Sequence, residues 1–191
     1  MFRKAFTRTA VVAATGAFAL AAAASAGAAN VTATATVNAG TLSLSTSATP
    51  SVSVTLDGTD KTPTYTLPMT VLDATGSGSG WNVTITSTTF STGGGSPHTL
   101  STSASTATGV SSSCAGGTTC TNPTNSIGYP LTVPAGSTAP TAPTAVKLFN
   151  AAANTGMGSF TVTPTVQVSI PANTYAGTYT STVTVAVVSG P

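Results

Sequence analysis

The chain has 191 residues, of which only 4% are charged, and a formal net charge of +2 at neutral pH. An ordinary soluble domain is about one-quarter charged, so solubility here must come from Ser, Thr, Asn and Gly, and no cationic cluster exists to hold nucleic acid. The length suits one domain with one core, burying roughly 68–70% of its unfolded surface, and 40% hydrophobic residues with little net charge argue against disorder.

Arg3, Lys4 and Arg8 open the chain, Val11 to Ala24 is an apolar stretch without a charge, and Ala24-Ser25-Ala26 or Ala26-Gly27-Ala28 offers a cleavage site. This is the pattern of a secretory signal peptide over residues 1–28, and its apolar part is too short to favour a membrane span. A single mature domain is expected over residues 30–191, secreted and located at the cell surface. Without the leader only Lys61 and Lys147 stand against Asp57, Asp60 and Asp73, a net charge of −1. The mature chain holds no Arg and no Glu, so the basic isoelectric point belongs to the precursor.

From Asn30 onward, apolar and hydroxyl residues alternate. Val31-Thr-Ala-Thr-Ala-Thr-Val37, Leu42-Ser-Leu44, Val52-Ser-Val-Thr-Leu56 and Tyr65-Thr-Leu67 each carry the period of two. So do Val83-Thr-Ile85, Phe160-Thr-Val-Thr163, Val166-Gln-Val-Ser-Ile170 and Val183-Thr-Val185. β-branched residues fill these runs, which suits a pleated surface with one buried face. Turn signals punctuate them at Asp57-Gly58, Gly76 to Gly80, Gly93 to Pro97, Pro134 to Pro143 and Pro171 to Thr174. The one helix-friendly stretch, Ala145 to Asn154, reads as a strand with a loop. Short, regularly punctuated strands predict an all-β fold, an antiparallel β-sandwich of immunoglobulin type. The region from Ser91 to Asn125 is poor in large apolar residues and reads as a long loop or hairpin projecting from the sandwich. Within it lie Cys114 and Cys120, the only cysteines. Export makes a disulfide between them the expectation, and zinc would need four ligands where His98 is the only histidine.

Chemistry-bearing residues are few. The glycines of Gly76 to Gly80 lack the Lys and helix of a phosphate loop and read as a flexible strand entry. Asp57 and Asp60 flank a turn and are too few for calcium. His98 has no neighbouring acid to orient it, and three aspartates offer poor support for glycoside hydrolysis. The expectation is a protein that is not an enzyme and takes no metal and no cofactor. Trp81, the only tryptophan, alternates with Val83 and Ile85 on one strand face, which makes it a core residue. Its other reading is a platform for sugar rings. Tyr175 and Tyr179 share a face around Gly177 and would extend such a platform or line the rim of the sandwich.

The segment Asp73-Ala-Thr-Gly-Ser-Gly-Ser-Gly-Trp81-Asn-Val83-Thr-Ile-Thr-Ser-Thr-Thr-Phe90 resembles the first signature of WxL-domain proteins. These are surface proteins that attach non-covalently to Gram-positive cell walls. Asn154-Thr-Gly-Met-Gly-Ser-Phe160, Val168-Ser-Ile-Pro-Ala172 and Tyr175 to Val187 resemble the family's closing segments, in matching order and spacing. Two departures mark a divergent member. The first motif reads Trp81-Asn82-Val83 in place of Trp, any residue, Leu, and the second would place its Trp at Val185 and its Leu at Val187. The resemblance implies a surface protein bound to peptidoglycan or an attached wall polysaccharide, with Trp81, Val83, Tyr175 and Tyr179 as candidate contacts and other surface proteins or copies of itself as further partners. The alternative is a structural subunit that polymerises into an extracellular fibre or coat through strand addition, for which Val31 to Val37 and Tyr179 to Val188 are suited.

Overall fold

A computed structural model describes residues 29–136 and 143–191, so the predicted leader lies outside the described residues. The chain divides into two units at Thr36. In the first, residues 29–36 form no strand and are exposed. The run Val31 to Val37, expected as a strand, pairs with no strand among the described residues: Val31 is 90% and Val37 93% exposed. Alternation marks a segment that can bury one face, but nothing here supplies the neighbour to bury it against.

The second unit, Val37–Pro191, carries the sandwich, and among the described residues it contains no helix. Its strands are β1 (Leu42–Ser45), β2 (Thr64–Thr66), β3 (Met69–Asp73), β4 (Trp81–Thr88) and β5 (Ser105–Cys114), then β6 (Leu131–Thr132), β7 (Ala135–Gly136), β8 (Val146–Ala151), β9 (Gly158–Val168) and β10 (Val183–Ser189). One sheet runs β1-β3-β9-β5-β6, with β2 also paired to β9. The other is built on β4, flanked by β10 on one side and by β8 and β7 on the other. All pairings are antiparallel except the short one between β4 and β7.

The two layers meet through alternate side chains. Met69, Val71, Ala107, Phe160 and Val162 from the larger sheet pack with Trp81, Val83, Ile85, Leu148 and Phe149 from the smaller. Each large apolar side chain so buried contributes about 1.5–3 kcal/mol. The opposite face of β9 carries Ser159, Thr161, Thr163, Thr165 and Gln167, all half-exposed. The expected strands at Phe160–Thr163 and Val166–Ile170 are one strand, running through Pro164. A strand residue points its N–H and C=O the same way, and the Pro164 carbonyl accepts from the Leu67 N–H at 3.0 Å. The donor that proline lacks therefore faces the junction of β2 and β3, where the ladder is already interrupted.

Three other expectations need adjustment. Val52 to Leu56 forms no strand. Ala145 to Asn154 holds β8 and the turn after it, as expected. The region Ser91 to Asn125 is not wholly a projecting loop, because β5 lies within it and pairs along β9. Its small residues suffice there, since Ala107 is its only fully buried apolar residue. Cys114, at the end of β5, is bonded to Cys120. The stapled loop runs back along β9, with Ala115 N–H donating to Ser159 O at 2.8 Å and Thr121 N–H to Met157 O at 2.9 Å.

Closing so short a ring contributes about 2–2.5 kcal/mol on the chain-entropy relation. The double variant Cys114→Ser, Cys120→Ser is expected to lose about that much in urea unfolding while keeping the β-sheet circular dichroism of the wild type. Alkaline pH supplies a second measurement. Burial pushes the Tyr65 phenol up; burial also raises Tyr129, against an opposing hydrogen bond from Asn125. A pKa higher in the folded than in the unfolded chain gives stability that is complete below the unfolded value, about 10, and is lost as pH climbs beyond it. Melting temperature should therefore fall above about pH 10, where Tyr65 and Tyr129 ionise more readily in the unfolded chain than in the folded one.

Candidate functional site

Of the four candidate contacts, Trp81 and Val83 are core residues with 0% exposure. The Trp81 ring lies 5.9 Å from Phe149 and 6.1 Å from Phe160, centroid to centroid, so it touches an aromatic from each sheet. Its Nε1–H donates to Gly156 O at 2.8 Å, a buried bond across 75 residues of sequence. Val83 stands between Val187 of β10 and Phe149 of β8 in the strand register. Neither side chain can reach a ligand from this position.

The segment that covers the indole is Asn154 to Phe160, and it requires a glycine. Gly156 has φ 72°, and a Cβ there would meet Ala151 Cβ and, at 2.7 Å, Trp81 Nε1. The second motif position is also resolved: Val185 pairs with Ile85 and Val187 with Val83. The two motif strands are thus hydrogen-bonded neighbours, and Val185, where the second tryptophan would stand, is half-buried on an edge strand packed against the core.

Tyr175 and Tyr179 belong to the opposite end of β4, which spans roughly 24 Å along its eight residues. Beyond Thr88 the chain forms a hairpin-like excursion that carries His98. Ser91 bridges both Thr99 and Thr180, Leu100 N–H donates to Phe90 O at 3.0 Å, and Thr92 N–H donates to His98 O at 3.0 Å. Leu100, Ala104 and Val168 form a small apolar floor, with Phe90, Ile170 and Tyr179 packed on it. On this base the His98 imidazole stacks on the Tyr175 ring, with centroids 3.9 Å apart and planes 12° from parallel. Tyr179 Oη–H donates to Tyr175 O at 3.0 Å and fixes the turn. Tyr175 itself is 65% exposed. Ser101, Asn173 and Thr174 complete a cleft of about 250 Å³. That volume is below the usual range for an enclosed small-molecule site and suits a surface grip on one part of a longer ligand.

No charged side chain lines this cleft, although Asp60 is bonded to the segment that forms its rim. Lys61 Nζ lies 2.6 Å from Asp57 Oδ2, and this bond, with others from Thr59, holds the Asp57 carboxyl well below the usual carboxylate range. Asp60 Oδ1 accepts from Ala172 N–H at 2.8 Å. The two aspartates considered as a calcium pair therefore have separate partners. The Gly76 to Gly80 entry is a defined series of turns: Asp73 Oδ1 accepts from Thr75 Oγ1–H at 2.7 Å, and Ser77 N–H and Ser79 N–H donate onward to the hydroxyls of Thr75 and Ser77.

The sequence singles out Tyr175 and Tyr179 but not His98, which it offers only as a metal ligand or a catalytic base. The signal available is that a charge-poor chain has a single histidine, beside a turn cluster; its aromatic partner lies in a distant segment.

These features define a class: a two-layer β-sandwich with a tryptophan-sealed core at one end and an exposed aromatic cleft at the other. Residues 12–191 match the family described as WxL domain surface cell wall-binding. The chain belongs to that family and is a cell-surface, cell-wall-binding protein. No curated protein and no solved structure gives a significant match.

Gly156→Ala tests the covering of Trp81. Positive φ costs a β-carbon about 1–2 kcal/mol and overpacking typically adds about 1–3, so a loss of about 2–5 kcal/mol in urea unfolding is expected. Gly177→Ala is the control, since its φ is ordinary and only the flexible Thr92 methyl is near; it should cost under about 1 kcal/mol.

Proposed function

We propose that this chain holds the wall by gripping a glycan, in peptidoglycan or a polymer attached to it, in the cleft of His98, Tyr175 and Tyr179, and that it performs no chemistry on that glycan. The observation that carries this reading is the His98–Tyr175 stack at 3.9 Å on a ring that is exposed where every other large aromatic of the sandwich is buried or half-buried. A sugar ring presents an apolar C–H face and a polar rim. An aromatic face takes the first, and Ser101, Asn173 and Thr174 beside it donate and accept with the second. Stacking on His98 limits the freedom Tyr175 has to lose on binding, which favours affinity. No carboxylate lines the cleft, whereas glycoside hydrolysis usually uses a pair.

Binding of this kind is not ionic. Retention on purified cell walls should change little between low salt and about 1 M, where the screening length shrinks to about 3 Å. Tyr175→Ala should weaken retention roughly 5–30-fold, the equivalent of about 1–2 kcal/mol, with the melting temperature within a degree or two of wild type because the ring is exposed. Walls stripped of attached polymers decide between the two glycans: retained binding assigns peptidoglycan, and lost binding assigns the polymer. Full retention by Tyr175→Ala, or release of the wild type by salt, would overturn the reading.

A further inference from the structure

We infer that β10 is a docking edge for a second copy of this chain, and that the occupant is that copy's segment Val31 to Val37. Among the described residues β10 pairs only with β4, so one side of its backbone is unpaired. Exposed sheet edges are usually protected by charge, proline, a bulge or brevity. β10 is seven residues long, Val-Thr-Val-Ala-Val-Val-Ser, contains no charge and no proline, and pairs with β4 without a register shift. Val188 is 50% exposed upon it, while Val183, Val185 and Val187 face the core but stay only partly covered.

The second observation is independent. Val31 to Val37 has the alternation and β-branched content of a strand, also over seven residues, yet among the described residues it pairs with no strand, and it is exposed. Segment and edge are complementary. An antiparallel register that sets Ala33 opposite Val187, Ala35 opposite Val185 and Val37 opposite Val183 puts all six side chains on the core-facing side. Thr32, Thr34 and Thr36 then stand on the solvent face beside Val188, Ala186 and Thr184. The small Ala33 and Ala35 cover partly buried valines without needing room for bulk, and backbone bonds satisfy the open edge. Because the donor segment and the accepting edge are different surfaces, the contact is head-to-tail and extends into chains rather than closing as a symmetric pair, unless its rotation happens to close a ring. It uses neither Tyr175 nor His98, so it stands or falls apart from the sugar cleft.

The test uses the protein as cells export it, with intact mass recorded to confirm that residues 31–37 remain. Light scattering after gel filtration, over a hundredfold range of concentration, is expected to show masses rising to multiples of one chain. Thr34→Pro with Ala35→Pro removes two adjacent donors, which point to opposite sides of a strand, so one is lost from the β10 side in any register. This variant should stay monomeric with the melting temperature unchanged, since residues 31–36 make no ladder in the sandwich. Val188→Lys, which places a charge on the edge, should also stay monomeric, and mixing the two variants should restore no more than pairs, from the intact edge of one and the intact segment of the other. A wild type monomeric at every concentration overturns the inference. So does assembly that survives the proline pair, which would mean that β10 takes a different occupant.

Discussion

The hydrogen bond from the Trp81 indole to the Gly156 carbonyl fixes how the sandwich closes. The indole arises at the first residue of β4, reaches across to Phe160 in the other sheet, and is covered by the turn that leads into β9. That cover is held from its far side by the stapled loop, since Gly156 N–H donates to Thr121 O at 2.8 Å while Thr121 N–H donates to Met157 O. The disulfide at Cys114 and Cys120 therefore acts on the core as well as on its own loop: it positions the segment around Thr121 that holds Gly156 over the ring. Removing the indole would cost about 3–5 kcal/mol as a cavity, and it would leave a buried carbonyl unsatisfied, a further penalty of about 1–3 kcal/mol.

With almost no charges, the rest of the surface is arranged by hydroxyls. Ser45, Thr70, Thr161 and Ser113 stand side by side across β1, β3, β9 and β5, and Thr66 stands beside Thr165. Each hydroxyl can donate and accept, so such a face is wetted without fixed charge. The consequence runs in two directions. Neutral polar polymers meet no electrostatic barrier at this surface, and neither do other copies of the chain, because near-zero net charge removes the repulsion that keeps proteins apart. Association is in that sense a property of the composition, and the sheet edges decide where it occurs.

Much of the fold was legible because alternation over Tyr65–Leu67, Val83–Ile85 and Val183–Val185 records a buried face directly. The failures have physical causes. Val31–Val37 and Val52–Leu56 carry the same pattern and form no strand, because alternation states what a segment can bury and says nothing about whether a neighbour exists. β5 escaped notice for the opposite reason: sandwiched between β9 and β6, it needs only Ala107 and small flanking residues to fill its place. The separate runs Phe160–Thr163 and Val166–Ile170 belong to one bridged stretch, because the donor Pro164 lacks falls at a gap between two partner strands. At the candidate site the tyrosines were visible and their setting was not. His98 and Tyr175 stack because Ser91 bridges to both Thr99 and Thr180, a tertiary arrangement that no local pattern encodes.

The separation of the two ends bears on how the family signature should be understood in this chain. The signature tryptophan that is present lies wholly inside the sandwich, and the one that is absent would stand at Val185, on the strand paired with β4. Both positions act on the packing of one sheet against the other. Val185 opposite Ile85 fills its site with a β-branched pair, which suits a pleated surface, so the missing ring is made good by ordinary strand packing. A change of this kind alters stability near β10 and leaves the far end, with Tyr175 and His98, untouched. In this chain, therefore, the tryptophan of the motif serves the packing of the sandwich, and the cleft proposed to meet the wall is built from other segments.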